Sequence, residues 1–202
     1  MDEYNRKEYF TKAFKFFIFA IIIMIIASVV TYAFSSNLQS IGNSTSQVAV
    51  DSGLDQKKGL NKVTAYFFNN GFKVPLQMFI FALIPIPYLY LLNIVISAIP
   101  VGILFGVGIK YSLVKGSLLI ISAFPYMVVE LFALSIFAAA LDEINIWVRG
   151  KIWRRIQTPL SLSFELKQFF LRYLKYVIPL IIVAAFLETY AADWIYRLFN
   201  WI

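Results

Sequence analysis

Uncharged apolar runs are the feature that most limits what this chain of 202 residues can fold into. The first run, residues 16–34, has no charged side chain. As an α-helix it would be about 28 Å long, which is close to the hydrocarbon thickness of a bilayer. A second uncharged tract covers 74–109, and two further runs, at about 117–141 and 176–192, each contain one carboxylate. With 60% hydrophobic and only 14% charged residues, the chain is predicted to be an integral membrane protein.

The tract 74–109 is too long for a single crossing, because one helix of this length would measure about 54 Å. It also contains four prolines, which break or kink helices: Pro75, Pro85, Pro87 and Pro100. Two short spans, 74–91 and 94–109, with Asn93 near the turn between them, fit this pattern. A re-entrant loop in place of one span is the alternative.

The predicted fold class is therefore all-α, a polytopic membrane helix bundle that forms a single domain over residues 1–202. About five spans are expected, at 16–34, 74–91, 94–109, 117–141 and 176–192. The first is expected to stay uncleaved, because it exceeds the apolar core of a signal peptide. Three glycines offer small-residue faces for close helix packing: Gly102, Gly106 and Gly108.

Amphipathic segments are expected to lie as helices at the membrane interface. They are TAYFFNNGFK at 64–73, GKIWRRIQTPL at 150–160 and DWIYRLFNWI at 193–202. Residues 142–175 carry seven basic and three acidic side chains, which predicts a cytoplasmic segment. With five spans the basic N-terminus is then cytoplasmic too, and residues 35–73 and the C-terminal tail lie outside.

The chain has no histidine and no cysteine. This excludes histidine- or cysteine-ligated metals, Ser-His and Cys-His nucleophiles, and disulfides. No cofactor, metal site or catalytic residue is expected, so the chain is predicted not to be an enzyme. A hydrolase built on Glu130 and Glu188 would need their carboxyls about 5–10 Å apart across a water-accessible cleft. No nucleic-acid partner is expected either, because no basic patch on a soluble module is visible.

Glu130 lies near the middle of the fourth span, inside the run FPYMVVELFALSIFAAAL. A charge facing lipid there costs about 2.5–3.5 kcal/mol on insertion scales. The spans contain no basic partner, so we expect an uncharged carboxyl that faces inward, toward the hairpin with Asn93 and toward the fifth span. Glu188, the lone acid of the fifth span, could share a proton with Glu130 or reach the headgroups. Whether Glu130 is functional or structural is left open.

Three further residues belong to the same predicted site. Pro125 has no N–H, so it frees backbone carbonyls in this helix or else kinks or ends it. Asn69 and Asn70 could cap the incoming helix or hydrogen-bond across the bundle. The candidate binding or structural polar site is the set Glu130, Pro125, Asn69, Asn70, Asn93 and Glu188.

These residues stand in a pattern similar to that of a known family. FFNN precedes the membrane, a Pro/Gly-rich hairpin follows, one span reads P-x-x-x-x-E-L-x-A, and the last reads PLIIVAAFLETY. Over residues 64–192 the chain resembles the stage II sporulation protein M family of bacterial and archaeal integral membrane proteins. Family members usually read Pro-His-Gly where this chain has Pro125, Tyr126 and Met127, and glycine where it has Ile94.

The resemblance implies a multi-pass protein of a bacterial or archaeal cell membrane. It also implies, from the founding case, a scaffold that recruits peptidoglycan-remodelling partners. The function expected is a non-enzymatic membrane scaffold or accessory subunit whose partners are the lipid bilayer and membrane or cell-envelope proteins. The alternative is a small transporter, channel or lipid-handling protein with an intramembrane carboxyl site. Five spans enclose only a narrow pathway, so that alternative calls for a homo-oligomer.

Overall fold

The computed structural model describes residues 3–34, 58–153, 162–192 and 194–195. Within these residues all regular structure is helical, which confirms the prediction of an all-α membrane bundle. The α-helices are α1 (Glu3–Phe34), α2 (Leu60–Phe68), α3 (Val74–Ala82), α4 (Leu92–Tyr111), α5 (Leu113–Trp153), α6 (Leu162–Arg172) and α7 (Ile178–Phe186). The predicted interfacial helix at 150–160 lies mostly, and the one at 193–202 almost wholly, outside the described residues.

Wider π-helical turns join several of these helices into longer runs. Asn69–Lys73 connects α2 to α3, Tyr173–Val177 connects α6 to α7, and Leu187–Ala191 extends α7. Pro75 and Pro179 lie in the first turns of α3 and α7. Because proline has no N–H and its ring crowds the preceding turn, the regular hydrogen-bond ladder is interrupted at these two points. A π-helical turn stands directly before each interruption.

Successive long helical runs along the chain point in opposite directions, and the run 60–82 stands between α1 and α4. α1 and α4 run parallel, since the Phe16 and Tyr90 rings lie 6.4 Å apart and Met24, further along α1, lies against Gly102 of α4. α4 and α5 are separated only by Ser112 and form a tight antiparallel hairpin.

The helical run 60–82 also crosses the whole bundle. It begins where Gly59 lies beside Tyr190, and it ends where Ala82 is bonded to Asn145. This helical run starts 14 residues before the predicted span at 74–91 and ends nine residues before that span does. TAYFFNNGFK, predicted to lie at the interface, is a continuous part of this run.

Four helices are long and apolar enough to cross a membrane: Lys7–Phe34, Leu89–Tyr111, Leu113–Ile152 and Leu166–Ala191. They coincide with the first, third, fourth and fifth predicted spans, although each of them begins earlier than the prediction. The run 60–82 is not one of the four, because Lys62, Asn69, Asn70 and Lys73 lower its hydropathy.

Two glycines bring α1 and α4 into close backbone contact. A methyl group added at Gly102 would overlap the carbonyl oxygen of Met24 and lie 2.8 Å from the Cβ of Ala27. One added at Gly106 would overlap the carbonyl oxygen of Ser28. The two glycines are four residues apart and so share one helix face, as in the small-xxx-small packing of membrane helices.

A tyrosine compensates for the hydrogen bond that Pro75 cannot make. The carbonyl of Gly71, four residues before Pro75, cannot accept the usual α-helical hydrogen bond, because proline has no N–H. It accepts a hydrogen bond from the hydroxyl of Tyr173. Gly71 is itself buried, and an added methyl there would lie 3.3 Å from Ile181. The 60–82 run is thus fixed at its midpoint against the chain's last long helix.

Candidate functional site

One end of the bundle holds a network of polar side chains, which we call the polar end. It is formed by the start of α1, the turn 83–88, the end of α5 and the start of the long helix Leu166–Ala191, which includes Arg172. On α5 the side chains of Asp142, Asn145 and Arg149 are spaced by three and four residues, so they share one face of the helix. That face points into the bundle, since Asp142 and Asn145 are buried.

Asp142 is the centre of the first part of this network, and only 5% of the residue is exposed. The hydroxyl of Tyr90 donates to one carboxylate oxygen at 2.6 Å, and Nζ of Lys12 donates to the other at 2.7 Å. Bonds of this kind to an ionised group are stronger than neutral ones. The carboxylate therefore links the start of α1, and the short 3-10 turn Leu89–Leu91 that precedes α4, to the end of α5.

Asn145 holds the proline-containing turn that follows α3. Its side-chain amide, fully buried, donates to the carbonyl oxygens of Ala82 and Ile84, both at 2.9 Å. Carbonyls at a helix C-terminus have no partner in the helix, and Pro85 cannot continue it. An amide has two N–H donors and one acceptor oxygen. Nε of Arg149 donates to that oxygen at 2.9 Å, so the nitrogen and the oxygen of the amide both have hydrogen-bond partners.

Arg172 connects α6 to the same end. Its guanidinium is paired with the carboxylate of Glu143 at 2.5 Å and lies 4.5 Å from the centre of the Tyr9 ring. A cation over an aromatic face is attracted by the ring quadrupole. The Tyr9 hydroxyl donates in turn to the carbonyl of Ile136 at 2.7 Å. Two ion pairs and two buried tyrosines thus connect the helices of the polar end.

Replacing Asn145 by alanine is expected to loosen the turn 83–88. The carbonyl of Ala82 would remain buried without its side-chain donor, which typically lowers the free energy of unfolding by about 1–3 kcal/mol. Asn61→Ala removes the same amide at an exposed position of α2 and serves as the control. Unfolding in detergent micelles, followed by circular dichroism, measures the difference. Equal midpoints for the two variants would contradict the role given to Asn145.

The sequence-predicted site is placed elsewhere, deeper along α5. Glu130 is partly buried on this helix, and Tyr126 lies one turn before it. Tyr126 interacts electrostatically with both Glu130 and Glu188. The acids of the fourth and fifth predicted spans are therefore near the same tyrosine. α5 continues through Pro125, so this proline does not end the helix.

The predicted asparagines make other bonds. The amide of Asn69 donates to the side-chain oxygen of Asn70 at 2.7 Å, and that of Asn93 donates to the carbonyl of Val74 at 3.3 Å. Asn93 is buried and joins the starts of α4 and α3. Among the described hydrogen bonds none connects these asparagines to Glu130. A single site that contains all six predicted residues stays a prediction.

Sequence reasoning missed Asp142 and Asn145. Charge counting assigned residues 142–175 as a whole to a cytoplasmic segment, whereas α5 continues to Trp153. The available signal was the helical spacing of Asp142, Asn145 and Arg149 directly after an apolar run. Such spacing predicts that the helix continues with a polar inner face.

The described residues contain no group of three or more His, Cys, Asp or Glu side chains placed to hold a metal ion. The family model described as stage II sporulation protein M matches residues 11–193. The chain belongs to the stage II sporulation protein M family. No curated protein and no solved structure matches the chain. The stage II sporulation protein M family is not a known enzyme family.

The match to the stage II sporulation protein M family includes the two sets of polar residues described above. It contains the polar end, from Lys12 to Arg172, and the pair of acids near Tyr126. In this chain the phenol of Tyr126 is the group near Glu130 and Glu188.

Proposed function

We propose that this member of the stage II sporulation protein M family is a non-enzymatic scaffold or accessory subunit that recruits membrane or cell-envelope proteins. It is a multi-pass protein of a bacterial or archaeal cell membrane, with its N-terminus in the cytoplasm. The observation that carries the proposal is the polar end, where charged side chains connect helices of the bundle to one another.

The pairing of charged side chains at the polar end favours a rigid scaffold over a transport site. Asp142 is paired with Lys12, and Glu143 with Arg172, so acids and bases neutralise each other within the protein. A transport site instead needs polar groups that face a cavity and exchange their ligands. The close contact at Gly102 adds to the rigidity, because it holds two helix backbones together along their length.

The helices that meet at the polar end support the proposed orientation, with the N-terminus in the cytoplasm. α1 begins there, and α5 ends there, as the pair Lys12–Asp142 shows. Basic residues of α1, α5 and α6 are concentrated at this end: Lys7, Lys12, Lys15, Arg149, Lys151, Lys167 and Arg172. An excess of lysine and arginine is typical of the cytoplasmic side. Residues 35–57 would then meet envelope partners on the other side.

Site-specific photocrosslinking in native membranes tests the proposal. A photoreactive amino acid is placed at Val29, 60% exposed on α1, and at Asn43 in the polar segment after α1. We expect discrete adducts with other proteins, recovered at both positions and identified by mass spectrometry. The same probe at Ala20, which is fully buried, is the control and should give none.

Lipid adducts alone, with no protein adduct at Val29 or Asn43, would contradict a recruiting role. An adduct of twice the chain's mass would show self-association. If it were the sole protein adduct, the partner of this surface would be a second copy, and recruitment of other proteins would be refuted.

A further inference from the structure

An apolar groove lies between α3 and the start of the last long helix. Its volume is about 200 Å³. The lining residues are almost all aromatic or aliphatic: Phe72, Pro75, Leu76, Phe79, Phe137, Phe169, Phe170 and Tyr173. The groove opens to the outside of the bundle, since Phe72 and Phe170 are 61% and 55% exposed. None of these side chains belongs to the polar end or to the acids near Tyr126.

The groove is held open by contacts behind its surface. Phe169 packs against Phe79 and Phe137, with ring centroids 5.5 and 5.2 Å apart. Tyr173 packs against Phe137 at 5.4 Å, and its hydroxyl is bonded to the carbonyl of Gly71. Each wall is therefore fixed by a packed ring or a hydrogen bond, so the groove does not depend on an occupant for its shape.

The size and chemistry of the groove limit its occupant. Apolar cavities of about 150 Å³ stay dry and take up small hydrocarbons. A volume of 200 Å³ therefore accommodates a length of hydrocarbon chain but not a whole helix. α6 and the π-helical turn that form one wall belong to the apolar helix Leu166–Ala191. At a surface of this kind the available hydrocarbon is the acyl chain of a membrane lipid.

A basic side chain lies beside the groove on the side of the polar end. Lys167 is three residues before Phe170, so it lies one helical turn nearer that end on the same side of α6. It is exposed, and it forms no ion pair with any described residue. A lysine at the membrane surface attracts anionic headgroups by about 1 kcal/mol. Lys167 is therefore complementary to a negatively charged headgroup above a chain in the groove.

We propose that the Phe-lined groove between α3 and α6 binds one anionic phospholipid, with an acyl chain against Phe79 and Phe169 and the headgroup at Lys167. This binding site is independent of the scaffold role. It makes the protein selective for a lipid class on the polar-end leaflet of the membrane.

Native mass spectrometry of the full chain in detergent, with equal amounts of phosphatidylglycerol and phosphatidylcholine, tests the site. The wild type is expected to retain one phosphatidylglycerol with about fivefold preference over phosphatidylcholine. Lys167→Gln should remove the preference, and Leu76→Trp, which fills the groove, should remove the retained lipid. Lys151→Gln and Ile96→Trp make the same changes at exposed positions away from the groove and should behave as the wild type.

Two results would overturn the proposal. One is equal retention of the two lipids by the wild type, and the other is retention by Leu76→Trp that matches Ile96→Trp. A photoreactive residue at Leu76 that captures a second copy of the chain instead of lipid would assign the groove to self-association and would also refute lipid binding. Because Leu76 is 52% exposed, its replacement leaves the core intact.

Discussion

Replacing Gly102 by leucine is expected to separate α1 from α4 and to give the largest loss of stability of any single change proposed for this protein. The added side chain would have to occupy the position of the Met24 carbonyl and approach Ala27. A backbone carbonyl cannot rotate away as a flexible side chain can. Overpacking of a well-packed interior typically costs about 1–3 kcal/mol, and the cost at a backbone contact lies at or above the upper end of that range.

The measurement for Gly102→Leu is unfolding in detergent micelles, with circular dichroism or intrinsic fluorescence as the signal. Gly102→Ala gives the graded intermediate, since its single methyl group already overlaps Met24. Leu104→Trp adds volume to the same helix at a position that is 42% exposed and should be close to the wild type. If Gly102→Leu were as stable as Leu104→Trp, close packing of α1 on α4 would be refuted.

Replacing Asp142 by alanine is the second change with a large expected effect. Lys12 and Tyr90 would lose the acceptor they share, in a region where the carboxylate itself is 5% exposed. Removal of one partner of a buried ion pair costs about 3–5 kcal/mol, because the other charge is left without compensation. The Lys12 side chain is 33% exposed, so the cost here is expected at or below the lower end of that range. We expect the start of α1 to detach from α5 before the rest of the bundle unfolds.

A double-mutant cycle separates the pair from simple loss of packing. Lys12→Met in the Asp142→Ala background removes the uncompensated ammonium, so the double variant should be more stable than Asp142→Ala alone. Glu8→Ala removes an exposed acid from the same helix as Lys12 and is the control. Hydrogen exchange of the first turns of α1 reports the local opening. Additive effects of the two changes would show that the pair is not coupled.

The helices long and apolar enough to cross a membrane could be predicted largely because the bilayer fixes the required length locally. The run 16–34 and the single-acid runs at 117–141 and 176–192 need no knowledge of the rest of the chain. The small-residue face at Gly102 could also be predicted, because the spacing of glycines along a helix is a local feature of the sequence. The start of the helical run 60–82 was not predicted, since Lys62 and the asparagines reduce its hydropathy. Its contact through the Gly71 carbonyl is made by Tyr173, a residue far away in the chain.

The polar end could not be predicted, because its bonds join residues far apart in the chain. Tyr90 is 52 residues from Asp142, and Lys12 is 130 residues from it. A single sequence shows each as an isolated polar side chain near an apolar run. Glu130, in contrast, could be singled out from the sequence alone. An acid within a long apolar segment is unusual whatever its partners are.

The long separation between α1 and α5 also sets an order of assembly. The α4–α5 hairpin, joined only at Ser112, can form as soon as its second helix leaves the ribosome. The ion pair between Lys12 of α1 and Asp142 can form only after residue 142 has been made. At synthesis rates of about 5–20 residues per second, those 130 residues take roughly 7–26 s. Until then Lys12 lacks the acceptor that it has in the completed bundle, so the polar end is the last part of the α1 contacts to form.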